Sequence, residues 1–151
     1  MEKRIIQSQK AIAKTVRTTL RTIVSAYGDW SCKMWADVGQ SGLQVAGAAV
    51  YVYKGCDENP DTEFELQMCI PVVDYAAYKG EFEKVELQEF TCLESPFRGS
   101  MLEIGPKGWT PFMTEVMQKN IAFTKESREV YVKWVDFNSP ENQVLLQIGV
   151  Q

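Results

Sequence analysis

Three tyrosines and one glutamate occupy two strand-like segments of this sequence, with a spacing of two residues in each: Tyr51 and Tyr53, and Glu129 and Tyr131. Side chains two residues apart project from the same face of a strand. The face of an aromatic ring attracts a positive charge by about 0.5 to 2 kcal/mol, and a carboxylate supplies a counter-ion. Residues of these types at this spacing therefore predict a groove that binds a flat, apolar cation.

The same residues also have a purely structural interpretation. Tyr51 and Tyr131 could be half-buried sheet residues, because aromatic side chains are enriched in strands anyway. Glu129 could be a solvated charge that pairs with Arg128 or Lys133. The sequence leaves both interpretations open, and they differ in whether the carboxylate is buried.

Trp109 is a further candidate for ligand binding. It belongs to an apolar stripe that recurs at helical spacing with Phe112, Met113 and Val116. A residue on such a stripe can line the groove or pack in the core. Both positions stay open for Trp109.

The composition argues against several other kinds of site. The chain has no histidine, which removes the commonest metal ligand and every Ser-His or Cys-His nucleophile pair. Its formal net charge of -4 argues against nucleic-acid binding, because phosphate recognition needs clustered Lys and Arg. We therefore predict no metal, no cofactor and no direct nucleic-acid partner.

The length of 151 residues and the 45% hydrophobic content fit a single domain, residues 1–151, with a core of its own. No stretch approaches the roughly 18 apolar residues that span a bilayer, and the first residues lack the pattern of a signal peptide. A cytoplasmic location without membrane contact is expected. Four well-separated cysteines are expected to be buried free thiols: Cys32, Cys56, Cys69 and Cys92.

An internal repeat predicts the architecture. When the chain is offset by 80 residues, segment 50–70 lies over segment 130–150 without a gap. Six residues recur between these segments: Val50, Tyr51, Val52, Pro60, Leu66 and Gln67 as Val130, Tyr131, Val132, Pro140, Leu146 and Gln147. Each segment has the pattern of a strand, a polar turn and a second strand. Both segments are therefore predicted to be hairpins.

Upstream of each hairpin, an amphipathic helix and another strand are predicted. The helices run from Ile23 to Val38 and from Trp109 to Met117, and the strands cover 4–16 and 81–93. The prediction is an α+β fold made of a duplicated β-α-β-β unit with pseudo-two-fold symmetry, its halves about 1–78 and 81–151. Two helices would cover one face of an antiparallel sheet, with the ligand groove on the other face.

The hairpin and helix motifs resemble the GyrI-like small-molecule-binding domains, which also occur as effector-binding domains of AraC-type and MerR-type multidrug regulators. The resemblance covers nearly the whole chain. Its most specific part is SREVYVKWVDFNSPENQVLLQIGV, which is similar to the final hairpin of that family. Glu129 matches the strand glutamate of the family, and Tyr131 and Tyr53 match tyrosines near it.

The resemblance implies a stand-alone module that binds lipophilic, cationic aromatic molecules, in drug sensing or toxin protection. It also implies an alternative, a hydrolase of strained-ring electrophiles, with Glu129 as general base and Tyr131 or Tyr53 donating a proton to the leaving oxygen. A second alternative is a protein-partner role such as gyrase inhibition. The partners expected are a small lipophilic or cationic ligand and, further, a protein partner or a second copy in a homodimer.

Overall fold

The computed structural model describes residues 1–151 and consists of one sheet and two helices. The strands are β1 (Glu2–Ile6), β2 (Gln9–Thr18), β3 (Ala49–Lys54), β4 (Phe64–Pro71), β5 (Glu83–Leu87), β6 (Phe90–Arg98), β7 (Phe123–Lys133) and β8 (Gln143–Val150). The helices are α1 (Ile23–Gln40) and α2 (Thr110–Gln118), and a π-helical segment (Ile104–Trp109) leads into α2. Neither helix is long and apolar enough to cross a membrane.

All eight strands form a single antiparallel sheet in the order β1-β6-β8-β7-β3-β4-β2-β5. The predicted α+β class and antiparallel sheet are confirmed. β3 and β7 are the central pair, with Val50 opposite Val130. The pairing of β7 with β8 has two irregularities, between Phe123 and Ser127 and between Tyr131 and Lys133.

α1 forms where the sequence predicts a helix. Its apolar stripe buries Met34 and Val38 against the sheet, and both side chains are almost completely inaccessible. The helix ends at Gln40, and Gly42 two residues later adopts a positive φ of 68° and donates its N–H to the carbonyl of Gly39. Glycine takes this left-handed conformation without steric cost.

The second helical region starts earlier than the predicted Trp109. Residues 104–109 form the π-helical segment, in which the N–H of Thr110 reaches the carbonyl of Gly105. Pro111 explains the widened turn, because its ring would clash with the carbonyl four residues earlier in a regular α-helix. Trp109 therefore lies at the last turn of the π-helical segment rather than inside a straight helix.

Each long strand predicted before a helix is two strands in the structure. Segment 4–16 breaks at residues 7 and 8, and segment 81–93 breaks at residues 88 and 89. The parts pair with different neighbours: β1 with β6 and β2 with β4, then β5 with β2 and β6 with β8. Each two-residue break thus joins strands that stand far apart in the strand order.

The tyrosines lie on the sheet face that the helices cover, which corrects the predicted placement. Tyr51 pairs with Met68 and Tyr53 pairs with Leu66, so these residues share one face. Met34 and Val38 of α1 pack into the same cluster. The large aromatic side chains fill the space between the sheet and the helix. The face away from the helices does contain a cavity of about 720 Å³, but none of the tyrosines lines it.

The helix-covered face has two apolar clusters, one under each helix. The α1 cluster contains twelve buried residues: Ile12, Met34, Val38, Tyr51, Tyr53, Phe64, Leu66, Met68, Ile70, Val72, Tyr78 and Phe82. The α2 cluster contains eight: Leu93, Phe97, Met101, Phe112, Val116, Val144, Leu146 and Ile148. Tyr131 packs against both clusters and so marks the junction between them.

The opposite face of the sheet carries smaller residues. Its buried cluster consists of Ala11, Ala13, Val50, Val52, Cys69 and Leu87. A groove on the tyrosine face would place Val50, Val52 and Val130, which alternate with the site residues, under the helices. The structure places them on the opposite face instead. Val132, expected to join them in a core, is 53% exposed.

The four cysteines are free thiols, and they differ in exposure. Cys69 and Cys92 are buried and Cys56 is half-buried, whereas Cys32 on α1 is exposed, against the expectation of burial. Burial raises the pKa of Cys69 to about 12 and that of Cys92 to about 11. These two thiols are therefore packing residues in their uncharged form.

Candidate ligand-binding site

The central strand pair brings the predicted site residues together. In the pairing of β3 with β7, Tyr51 lies opposite Glu129 and Ala49 lies opposite Tyr131. Tyr53 lies two residues further along β3, opposite Ser127, and therefore on the same face as Tyr51. All four predicted residues thus surround one spot on the helix-covered face, beside the junction of the α1 and α2 clusters.

Glu129 is buried, with 5% of its surface exposed, and three neutral donors hold its carboxylate. The hydroxyls of Tyr53 and Tyr131 donate to Oε1 at 2.5 and 2.7 Å. The indole N–H of Trp109 donates to Oε2 at 2.7 Å. None of the salt bridges of the chain involves Glu129. Its negative charge is hydrogen-bonded but not neutralised.

The solvated ion pair proposed as an alternative for Glu129 does not occur. Arg128 projects to the opposite face of the sheet, where it pairs with Glu126. Lys133 is exposed at the end of β7. Neighbouring residues on a strand point to opposite faces, so a basic residue directly before Glu129 cannot reach its carboxylate.

Trp109 combines the two positions that the sequence left open. Its ring stacks on Phe112 at a centroid distance of 5.8 Å, which is a core contact, and its N–H points at Glu129. The side chain is half-buried. The turn of the π-helical segment is what aims the indole at the sheet from the α2 side.

Two further aromatic residues extend the site and were missed. Tyr27 of α1 packs edge-on against Tyr51 at a centroid distance of 5.8 Å. Trp134 packs edge-on against Tyr131 at a centroid distance of 5.9 Å. The rings of Tyr51 and Tyr131 are in contact, with their centroids 4.8 Å apart. The apolar stripe of α1 contained Tyr27, but its value as a site residue depended on knowing that α1 covers the tyrosine face. No local pattern indicated that Trp134 belongs to the site.

The site tyrosines are neutral hydrogen-bond donors. Burial, and after it the negative charge of Glu129, raises the pKa of Tyr53 and of Tyr131 well above the usual 10.0. Burial also raises the pKa of Tyr27 to about 12 and shifts that of Tyr51 upward. The carboxylate is consequently surrounded by protonated phenols over the whole neutral range.

These tyrosines predict a loss of stability in alkali. In the unfolded chain they release their protons near pH 10, whereas the fold keeps them protonated to higher pH. Their contribution is complete below pH 10 and is lost as the pH rises through the folded-state pKa values, of which that of Tyr27 is about 12. The urea midpoint should fall over this interval, and Tyr53→Phe should reduce the fall. An equal fall in that variant would show that Tyr53 does not contribute.

No protein-family model and no curated protein sequence matches the chain. Solved structures do match. The crystal structure of the EcmrR C-terminal domain has a TM-score of 0.79 at 16% identity and covers 99% of this chain and 96% of that one. The cryo-EM structure of EcmrR in a complex with DNA gives 0.80 at 17% identity. This chain spans 56% of that longer EcmrR chain.

Two other solved structures have the same fold. SAV2435 bound to tetraphenylphosphonium has a TM-score of 0.68 at 11% identity, covering 100% of this chain and 94% of that one. A hydrolase encoded by lin2189 from Listeria innocua has a TM-score of 0.65 at 9% identity, covering 99% and 91%. At identities this low, the structural likeness establishes the fold alone. That fold is consistent with the GyrI-like resemblance in the sequence.

Proposed function

We propose that the chain is a binding module for lipophilic, cationic aromatic molecules, with Glu129 as the counter-ion. One observation carries the proposal: a buried carboxylate whose three hydrogen-bond partners, Tyr53, Tyr131 and Trp109, are all neutral. A buried charge without an opposite charge is costly, even when it is hydrogen-bonded. A cation that reaches this carboxylate recovers that cost.

The aromatic surroundings favour a flat or ring-bearing cation over a metal ion or an alkyl amine. The rings of Tyr27, Tyr51 and Trp134 are linked by direct contacts to the ring of Tyr131, whose hydroxyl donates to the carboxylate. Each ring that stacks on a ligand or faces its charge adds about 0.5 to 2 kcal/mol when the contact is desolvated. The ligand would replace one or more of the phenol and indole donors at Glu129.

The solved structures with the same fold support the proposal of a cationic aromatic ligand. SAV2435 was solved with tetraphenylphosphonium, a lipophilic aromatic cation, and EcmrR was solved on DNA. We infer that the chain is a GyrI-like domain, and that its biological role is drug sensing or toxin protection in the cytoplasm. The proposal that it serves a regulator rests on its likeness to the C-terminal domain of EcmrR.

We also infer that the domain arose from two copies of one unit, about 1–78 and 81–151. The strand order supports this: exchanging β1 to β4 with β5 to β8 turns β1-β6-β8-β7-β3-β4-β2-β5 into the same order reversed. The central pairing of Val50 with Val130 has the same 80-residue offset as the sequence repeat. Glu129 breaks the symmetry, because its counterpart is Ala49.

A hydrolase is the second candidate, favoured by the shared fold with the Listeria innocua hydrolase. Glu129 would then be the general base, with Tyr131 or Tyr53 donating to the leaving oxygen. The hydrogen bonds at both carboxylate oxygens favour binding instead, because they occupy lone pairs that a base needs for water. Ring-opening of a strained electrophile that stops in Glu129→Gln would reverse this preference.

A matched pair of ligands tests the binding proposal. Methyltriphenylphosphonium and triphenylphosphine oxide have similar shapes, and only the first carries a full positive charge. Tryptophan fluorescence should report binding, because Trp109 and Trp134 lie in the site. The phosphonium should bind at least about tenfold more tightly, since one charge-assisted contact is worth about 1.4 kcal/mol or more. Equal affinities would reject Glu129 as a counter-ion.

A further inference from the structure

A small cavity of about 180 Å³ lies on the sheet face away from the helices, over the neighbouring strands β1, β6, β8, β7 and β3. Its hydrophobic lining residues are Ile6, Ala48, Val50, Val130 and Leu145. Val50 lies opposite Val130, and Val130 lies opposite Leu145, so these three side chains form one continuous apolar surface. An apolar cavity of about 150 Å³ can hold benzene, so this one has room for a small organic molecule.

Gln147 of β8 provides a free hydrogen-bond acceptor in this cavity. The residue is 3% exposed, and its Nε2 donates to Oε2 of Glu94, directly opposite on β6, at 2.8 Å. The opposite orientation of the amide would turn its carbonyl toward the carboxylate, which is repulsive. Oε1 of Gln147 accepts from no group of the chain, yet no fully enclosed side-chain polar atom lacks a partner. Oε1 is therefore accessible, and Gln147 lines this cavity and not the one of about 720 Å³.

Glu94 connects Gln147 to a donor at the outer end of the cavity. Its carboxylate is almost completely buried, and Oε1 accepts from Nη1 of Arg4 on the edge strand β1 at 3.2 Å. This contact uses only one of the five N–H groups of a guanidinium, and the side chain of Arg4 is 46% exposed. The polar end of the cavity thus offers an acceptor and a donor, one on either side of Glu94.

The charged groups that line the cavity are already paired. Arg4 pairs with Glu94, and Arg128 pairs with Glu126. A ligand with a net charge would therefore bring a charge without an opposite partner into the cavity, which is costly. In this respect the cavity differs from the site of Glu129, whose carboxylate has no cation beside it. The lining favours a neutral ligand.

We propose that this cavity, the Gln147 cavity, binds small neutral carboxamides that carry a branched aliphatic group. The NH₂ of the ligand donates to Oε1 of Gln147, and its carbonyl accepts from the guanidinium of Arg4. The branched group packs on Val50, Val130 and Leu145. A ligand that covered Oε1 with an apolar group would leave a buried acceptor without a hydrogen bond, and its affinity would be lower for that reason.

Two ligands of nearly the same shape test this assignment. Isobutyramide and methyl isopropyl ketone share the carbonyl and the branched group, and they differ in an NH₂ or a methyl group beside the carbonyl. In NMR titrations of the full chain, the side-chain NH₂ of Gln147 reports on the cavity and the indole N–H of Trp109 on the site of Glu129.

Isobutyramide should shift the Gln147 signals with a dissociation constant in the millimolar range, as expected for a ligand of its size, and leave Trp109 unchanged. The ketone should bind about fivefold more weakly, because it lacks the donor to Oε1. Equal affinities of the two ligands, or Gln147 signals that do not move, would overturn the proposal. Neither result depends on a variant that has to fold.

Gln147→Met keeps the length of the side chain and removes the acceptor, so the preference for the amide over the ketone should disappear. The backbone N–H of Val130 reports on the cavity in this variant. Gln67→Met is the matched control, since Gln67 is a half-buried glutamine on the same face that lines the larger cavity instead. The fivefold preference should survive there. A preference that persisted in Gln147→Met would show that Gln147 does not recognise the amide.

Discussion

Glu129→Gln is expected to weaken the binding of methyltriphenylphosphonium by about 10- to 100-fold, and to leave the affinity for triphenylphosphine oxide nearly unchanged. The substitution removes the charge and keeps the shape. The loss corresponds to about 1.4 to 2.8 kcal/mol, as expected when a charged contact in a buried site disappears. If the amide oxygen still accepts from Tyr53 and Tyr131, the amide NH₂ faces the N–H of Trp109, so that one hydrogen bond is lost.

Glu115→Gln is the matched control, because it removes the same charge from the surface of α2. Glu115 is held by Lys119 one turn along that helix and takes no part in the site. Its affinity for both ligands should equal that of the wild type. If the two glutamine variants weakened phosphonium binding equally, the effect would come from net charge and not from a specific contact at Glu129.

Phe64→Ala is expected to lower the free energy of unfolding by about 3 to 5 kcal/mol. The ring is 1% exposed and lies in the α1 cluster, where its removal leaves a cavity that the sheet and α1 cannot close. The ring of Tyr53 rests against Phe64 at a centroid distance of 5.7 Å. The variant should therefore also bind methyltriphenylphosphonium more weakly. Urea denaturation and fluorescence titration measure the two effects.

Phe123→Ala removes the same side chain from an exposed position, since Phe123 is 43% exposed at the start of β7. The change in unfolding free energy should stay within about 0.5 kcal/mol, as for most surface substitutions. A cost of less than about 1 kcal/mol for Phe64→Ala would show that the cluster repacks, and that the support given to Tyr53 is weak.

Local patterns predicted the elements of the fold but not how they pair. The alternation in segment 64–68 is enough to place Phe64, Leu66 and Met68 on one buried face, because a strand has a period of two residues. The face of Tyr51 depended on its register with β4, across a long turn that does not fix the register. The two strand breaks depended on pairing partners far away in the sequence.

In the candidate site too, local spacing was predictable from the sequence, whereas contacts between separate elements were not. The spacing of Glu129 and Tyr131, with the equivalent spacing on β3, was sufficient to predict that these residues share a face. That they come together in one site followed from the pairing of the two strands. The burial of Glu129 depended on Trp109, which reaches the carboxylate from a separate element because Pro111 widens the preceding turn. A contact of that kind is set by packing and has no local sequence signature.

Arg128 and Glu129 are consecutive residues whose side chains project to opposite faces of β7. A slip of this strand by one residue would carry the guanidinium to the helix side and the carboxylate to the opposite face, so that the charges of Arg128 and Glu129 would change places. The pairing with β8 is regular from Ser127 to Tyr131, and its irregularities lie on either side. We therefore expect insertions or deletions to be tolerated near those irregularities, whereas one between Ser127 and Tyr131 would move the carboxylate of Glu129 away from Tyr53 and Trp109.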